Sequence, residues 1–170
     1  TARLLKKAQE RGIYTVLDTA WDEKGRWMEM IRPCLPYLDL FIPSIEEAEM
    51  LSGKKDVREM AEVFLSNGVS LCVIKNGKNG CYIKSAEGEE YAIPAYLVRA
   101  KDTNGAGDSF VSGFLTGITK GWNLDTCGRF ANAVGAHCVS QVGTTAGVRS
   151  LEEILEFMEN YGNGGLENAI

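Results

Sequence analysis

Asp102-Thr103-Asn104-Gly105-Ala106-Gly107-Asp108-Ser109-Phe110-Val111-Ser112-Gly113-Phe114-Leu115 is the most informative run in the chain. It reads as a small-residue loop that enters a helix from about Asp108 to Lys120 and stops at Gly121. Gly105, Ala106 and Gly107 leave backbone N–H groups uncovered and let a ligand approach closely. The helix start adds donors with no intrahelical partner and the positive end of the helix dipole. Together they predict an anion site suited to a phosphate, or to charge developing during phosphoryl transfer. Asp108 lies at the mouth of that site, where a carboxylate can accept the proton of an attacking hydroxyl. The plainer reading is a tight turn with Asp108 as an N-cap.

Upstream of that run, short apolar strands alternate with helical patterns. Ile13 to Leu17, Leu38 to Ile42 and Leu71 to Ile74 read as strands covered on both faces. Helices are expected over Ala2 to Glu10, over Arg26 to Ile31, from the cap Ser44 to the stop Gly53, and from Asp56 to near Gly68. This alternation implies βαβ units and a parallel sheet, whose ligands bind at the carboxyl ends of the strands. The loops after Leu17, Ile42 and Ile74 are therefore the ones to search. Asn76-Gly77-Lys78-Asn79-Gly80 is a turn, and Cys81 to Lys84 and Tyr91 to Ile93 read as antiparallel strands. Downstream, one helix runs from Leu124 to about Ser140, and another opens at Ser150 with Glu153 completing a capping box. Residues 1–160 are taken as one unit of structure, and Gly- and Asn-rich 161–170 as a flexible tail.

Composition narrows the class. The 170 residues are long enough for one domain with a real core, and 45% hydrophobic with 24% charged is a globular balance. A net charge of −5 argues against broad binding to a nucleic-acid backbone. No apolar run approaches the ~20 residues of a membrane helix, and no secretory leader is expected. Thr1 in place of Met reads as a piece of something longer. The cysteines, Cys34, Cys72, Cys81, Cys127 and Cys138, are five, an odd number with no C-x-x-C pair. Buried thiols in a reducing cytoplasm are the expectation. His137 is the one histidine, too few partners for a zinc site or a serine–histidine hydrolase, and packing or a surface position is its default role.

Asp102 to Leu115 resembles the C-terminal signature of the PfkB carbohydrate kinase family, the ribokinase-like sugar and nucleoside kinases. Other segments fall in the family's order. Ile42 to Gly53 resembles its N-x-x-E region, with Glu47 at the glutamate and Ser44 in place of the usual asparagine. Lys75 to Gly80 resembles its nucleotide loop, with Gly77 and Gly80 matching. Phe130 to Gly143 resembles its late helix, with Asn132 at the asparagine near the adenine pocket. Asp18-Thr19, followed by Trp21, Asp22, Arg26 and Trp27, stands where the family often has Asp-Pro.

The resemblance implies an incomplete three-layer α/β/α Rossmann-like (ribokinase-like) fold, with a mostly parallel sheet and a few antiparallel strands. It covers the C-terminal part of the family's fold; the N-terminal Gly-Gly motif, most sugar contacts and a β-sheet lid that often forms a homodimer interface have no match. It implies ATP-dependent phosphorylation of a sugar hydroxyl, with Gly105, Ala106 and Gly107 as the anion hole and Asp108 as the base. Glu47, with Ser44, would place Mg²⁺ and phosphates, and Lys75, Gly77, Gly80 and Asn132 would serve the nucleotide. Some members hold K⁺; the matching positions are Asp102, Asn104, Cys138, Gln141, Gly143 and Gly147, several through backbone carbonyls. Structural readings stand beside these: a capping box for Ser44 and Glu47, an Asn-Gly hairpin for 76–80, a solvated Lys75, and close helix packing at Asn132. A nucleoside kinase or a non-catalytic nucleotide- or sugar-binding module are the alternatives, and the 170 residues alone are expected to be inactive and marginally stable.

Overall fold

The computed structural model describes residues 1–162, with side chains as far as Tyr161. The chain forms two compact units, Thr1–Asn76 with Tyr82–Ala92, and Gly77–Cys81 with Ile93–Ile170.

The first unit carries the sheet. The elements up to Ile93 are α1 (Ala2–Gln9), β1 (Val16–Leu17), α2 (Trp27–Ile31), β2 (Leu40–Phe41), α3 (Ile45–Ser52), α4 (Val57–Ser66), β3 (Leu71–Lys75), β4 (Cys81–Ser85) and β5 (Glu90–Ile93), with 3₁₀ turns at Leu35–Tyr37 and Gly77–Asn79; of these, the Gly77–Asn79 turn, Cys81 and Ile93 belong to the second unit. The strand order is β1-β2-β3-β4-β5. β1 and β2 pair in parallel with Leu17 beside Phe41, and β2 and β3 with Phe41 beside Cys72. The links from β3 to β4 and from β4 to β5 are Asn76–Gly80 and Ala86–Glu89. A parallel crossover needs about a dozen residues, so these strands run antiparallel.

Helical periodicity explains the core of this unit. Val57, Met60, Ala61 and Phe64 fall on one stripe of α4 and pack over the sheet with Phe41, Cys72 and Ile74. The Phe41 and Phe64 rings meet edge to face at 4.9 Å. β3 is buried from Leu71 through Ile74, as a strand covered on both faces must be.

The expected strand at Ile13 to Leu17 is shorter than its apolar run. The pairing covers Val16–Leu17, and Ile13 and Tyr14 ahead of it are 55% and 48% exposed. Thr15 is held by side-chain chemistry: its N–H and its hydroxyl both donate to the Asp39 carboxylate, at 2.7 and 2.8 Å.

α4 is opened by Asp56, whose carboxylate accepts the N–H groups of Arg58 and Glu59 at 3.0 and 3.1 Å. Asp56→Ala is expected to lower stability by about 1 kcal/mol. Equilibrium denaturation checks it: the midpoint falls and the m-value stays fixed.

The second unit is helical, with α5 (Ala106–Thr119), α6 (Leu124–Val139) and α7 (Leu151–Gly162). α5 and α6 approach closely because glycines face the contact. A Cβ on Gly113 would lie 2.9 Å from Ala131 Cα, and one on Gly117 2.7 Å from Cys127 Sγ. Phe130, Ala133, Val134 and Ile154 join α6 to α7. His137 is buried there, edge to face with Phe157 at 4.7 Å, so packing is its role. The capping box of Ser150 and Glu153 opens α7, with bonds of 3.0 and 3.3 Å. Of the expected tail, Tyr161 and Gly162 end α7, and 163–170 lie outside the described residues.

One sequence expectation is corrected here. α5 begins at Ala106, two residues before Asp108, and Gly105 is its N-cap. Gly105 adopts a left-handed φ of +79°, which glycine reaches without steric cost, so the chain turns into the helix earlier than a side-chain cap would allow. Asp108 is therefore not the N-cap but the third residue of the first turn. All five cysteines are free and buried.

Candidate functional site

In the first unit, polar groups gather where β1, β2 and β3 end. Asp18 follows β1, Ser44 lies just past β2, and Lys75 ends β3; Ser44 and Lys75 pair as a parallel bridge. The Lys75 ammonium donates to both oxygens of Asp18, at 2.8 and 2.7 Å. Both side chains are largely shielded, 12% and 27% exposed. Burial raises the Asp18 carboxyl above its usual 3.8, and the bond and charge of Lys75 pull the other way. Lys75 is thus not a solvated lysine; it offsets a carboxylate that would otherwise be costly to shield.

Thr19 continues the chain of contacts. Its hydroxyl donates to Glu47 Oε2 at 3.1 Å, and the same oxygen accepts the Ser44 N–H at 2.9 Å. The Ser44 hydroxyl accepts the Glu47 N–H at 3.4 Å, which completes the capping box. Both of these side-chain bonds of Glu47 fall on Oε2. The loop beyond Thr19 lines a cavity of about 280 Å³ with Trp21, Arg26 and Trp27. The Asp22 carboxylate shapes that loop by accepting the Arg26 and Trp27 N–H groups at 2.6 and 2.9 Å.

In the second unit, the loop Asp102–Gly105 leads into α5. Ala106 N–H is turned to the Thr103 carbonyl at 3.3 Å. The next two first-turn N–H groups, of Gly107 and Asp108, have no intrahelical acceptor, as at any helix start. Asp108 is exposed, and no side chain caps this helix end. Asp102 accepts the Asn104 N–H at 3.0 Å and the Gly143 N–H at 2.9 Å, which hold its carboxyl below the usual 3.8. Cys138 Sγ lies 3.3 Å from the Thr144 carbonyl and 3.7 Å from that of Asn104. Gln141 and Gly143 are half-buried in the same loop, and Gly147 is buried against the His137 carbonyl.

Gly77 opens a single 3₁₀ turn and Gly80 follows it. A Cβ on Gly80 would lie inside van der Waals contact of the Ile93 carbonyl oxygen. Asn132, on α6, is buried and donates from Nδ2 to the Ile93 and Pro94 carbonyls at 3.3 and 3.1 Å. Its side chain holds the segment against which Gly80 packs. Among the described residues no cluster of three or more His, Cys, Asp or Glu is arranged to hold a metal ion, and no helix is long and apolar enough to cross a membrane.

Residues 1–151 match the pfkB family carbohydrate kinase pattern. The chain belongs to the PfkB carbohydrate kinase family. The 2-dehydro-3-deoxygluconokinase of Bacillus subtilis is 32% identical over 143 residues, which cover 84% of this chain and 44% of that one. The solved ribokinase of Thermotoga maritima superimposes with a TM-score of 0.80 at 28% identity, over 92% of this chain and 52% of that one. The aminoimidazole riboside kinase of Salmonella enterica, solved with aminoimidazole riboside and an ATP analog, gives 0.80 at 26%, over 92% and 56%. This PfkB chain thus has a ribokinase-like fold, carries a mixed sheet, and spans about half the length of the relatives it matches.

Two features of this PfkB chain were weak or silent in its sequence. Asp18 and Lys75 meet across 57 positions, and the signal was that both stand at the carboxyl ends of parallel strands, β1 and β3, on either side of β2. The Gly143–Thr144 turn meets Asp102 and Gly105 across about forty positions, and no local pattern marks it.

Acid should destabilise the protein. Backbone N–H bonds hold Asp102, Asp22 and Glu153 below their usual 3.8, 3.8 and 4.5. A depressed carboxylate contributes stability that is present above its unfolded value and lost as pH falls through its folded one. Glu90 is lowered as well, and Asp18, raised, acts in the opposite sense, one group against four. Melting temperature is expected to fall as pH drops below about 4; thermal melts across that range check it, and a rise on acidification contradicts it.

Proposed function

We propose that this chain is the nucleotide-binding and base-bearing part of an ATP-dependent sugar kinase. The observation that carries the reading is Asp108 in an uncapped, glycine-opened first turn of α5, within a chain whose family is that of carbohydrate kinases. Asp108 would take the proton from the attacking sugar hydroxyl. The N–H groups of the Gly105–Ala106–Gly107 turn would meet the charge on the transferred phosphoryl group.

Nucleotide binding would fall to Lys75, Gly77, Gly80 and Asn132, with Asn132 acting at least through the backbone it holds. Mg²⁺ suits Glu47: magnesium is commonly held by one or two carboxylates plus phosphates and water, and Glu47 presents one oxygen beyond its capping bonds. When bound, the ion would neutralise charge on the phosphates. Ser44 and Thr19 orient Glu47 for that task. K⁺ would be held mainly by backbone carbonyls of Asn104, Cys138, Gln141 and Gly143, with Asp102 beside them. The buried free cysteines fit a reducing, cytoplasmic setting. The partners would be a sugar and ATP, with a homodimer of the longer protein as a further part of the family reading, and the 170 residues alone would be inactive.

A nucleoside acceptor is the second reading, favoured by the riboside kinase among the solved relatives. The test is turnover of ATP by the longer protein against a panel of hexoses, pentoses, deoxy-ketoacid sugars and nucleosides. Phosphorylation of a sugar supports the first reading and of a nucleoside the second. ATP binding without turnover on any acceptor would make it a binding module and overturn both.

A further inference from the structure

Four Asn-Gly steps fall among the described residues: Asn67-Gly68, Asn76-Gly77, Asn79-Gly80 and Asn104-Gly105. In sequence they are chemically alike. Each asparagine, a thermolabile residue, precedes one with no side chain to shield its backbone nitrogen. Deamidation begins when that nitrogen attacks the asparagine Cγ. The peptide between the two residues must rotate to bring the atoms together, so a clamped glycine reacts only through local opening.

The structure separates the four. The Gly68 N–H donates to the Leu65 carbonyl at 2.9 Å, a Cβ there would lie 2.9 Å from Pro36 Cα, and the Asn67 amide donates to the Val63 carbonyl at 2.8 Å. Gly80 is buried, its N–H donates to the Gly77 carbonyl at 3.0 Å, and a Cβ would lie 2.6 Å from Ala95 N. A Cβ on Gly105 would lie 2.9 Å from Thr144 Cα. Of the four, only Gly77 would place a Cβ with nothing within 4 Å, and Gly77 is exposed. The bond that its carbonyl accepts fixes the peptide after Gly77, not the one before it, where the ring closes.

We propose that Asn76 is a deamidation site and that its conversion ages the loop that enters the 3₁₀ turn. Gly77 N bonds to Asn76 Cγ and gives up its proton, the Cγ–Nδ2 bond breaks, and Nδ2 leaves as ammonia. Water then opens the five-membered imide. Addition at Cγ gives aspartate; addition at the main-chain carbonyl gives isoaspartate, whose main chain runs on through Cβ and Cγ. Either product sets a new carboxylate one position along the chain from Lys75. Isoaspartate also adds an atom to the backbone entering the turn, and Gly80 beyond it has no room to absorb the shift. The site stands apart from the kinase reading. Its effect on nucleotide rests on that reading: a carboxylate in a loop that meets phosphates repels them.

The test is to incubate the longer protein warm, at neutral and at mildly alkaline pH, and to map peptides by a method that resolves asparagine, aspartate and isoaspartate. Asn76 is expected to convert about tenfold or more faster than Asn67, Asn79 and Asn104, because each of those must wait for local opening. Conversion should be faster at the higher pH, and the four rates should converge when the chain is unfolded in urea. KM for ATP should rise about tenfold in the aged protein, and less in fresh Asn76→Asp, which gains the charge without the extra backbone atom. Asn76→Gln should keep whatever KM it starts with. Conversion at Asn79 or Asn104 first, or the same ranking in urea, overturns the site. A converted Asn76 with KM for ATP unchanged overturns the effect on the loop. A protein inactive before ageing counts against the kinase reading alone, because the peptide map still decides the site.

Discussion

Asp108→Asn is expected to lower kcat for phosphoryl transfer about 10²–10⁴-fold, the range for loss of a general base. The substitution keeps the size and planar shape of the side chain and removes its capacity to take a proton. Its structural cost is small for identifiable reasons. Asp108 is exposed and makes no capping bond to the helix start, which is formed by Gly105. What remains is the favourable charge of a carboxylate in the first turn, about 0.3–1 kcal/mol. The expected signature is a large fall in kcat, a KM for ATP near the wild-type value, and a melting temperature within a few degrees of it. Turnover and melting, measured on the same preparation of the longer protein, check this. Near-normal turnover would remove Asp108 from the role of base.

Local chemistry made much of this legible in the sequence. The Ser44–Glu47 and Ser150–Glu153 capping boxes and the Asp56 cap involve residues two or three apart, so the pattern contains nearly all of the interaction. The strand at Leu71–Lys75 was legible because complete burial demands an unbroken apolar run. Ile13–Leu17 is longer than the strand because an apolar run does not say how many of its residues pair. The start of α5 was displaced because the side chain that looks like a cap, Asp108, competes with a glycine that opens the helix by backbone conformation alone. Asp18 with Lys75, and Asp102 with Gly143, depend on which strand ends and loops the fold brings together. No pattern within one segment encodes that.

The two groups differ in how they are held, and the difference bears on which residues tolerate change. Around Glu47 the capping box is joined by contacts from side chain to side chain, a threonine on Glu47 itself and a lysine on Asp18. Such contacts re-form when one partner is replaced conservatively. Around Gly105 they are largely backbone, fixed by φ and by the absence of a Cβ. There a single added methyl has no place to go.

Gly105→Ala is therefore expected to damage both the start of α5 and the rate. Two costs act together. The left-handed conformation at φ +79° disfavours any residue with a Cβ, by about 1–2 kcal/mol. The added Cβ would also meet Thr144 at its carbonyl oxygen and its Cα, the latter at 2.9 Å, and these are backbone atoms that cannot swing aside as a long side chain can. The loop or the turn must move, and the first-turn N–H groups move with it. A displacement near 1 Å is enough to cost about a hundredfold in rate, and loss of one donor to a developing anion costs about 10²–10³-fold in kcat. Melting should fall as well, unlike Asp108→Asn, because strain adds to the ground state. The pair of variants separates chemistry from geometry: Asp108→Asn loses rate at nearly constant melting temperature, and Gly105→Ala loses both. Wild-type melting and turnover in Gly105→Ala would mean that the start of α5 yields to a methyl group, and that its donors are not fixed in advance.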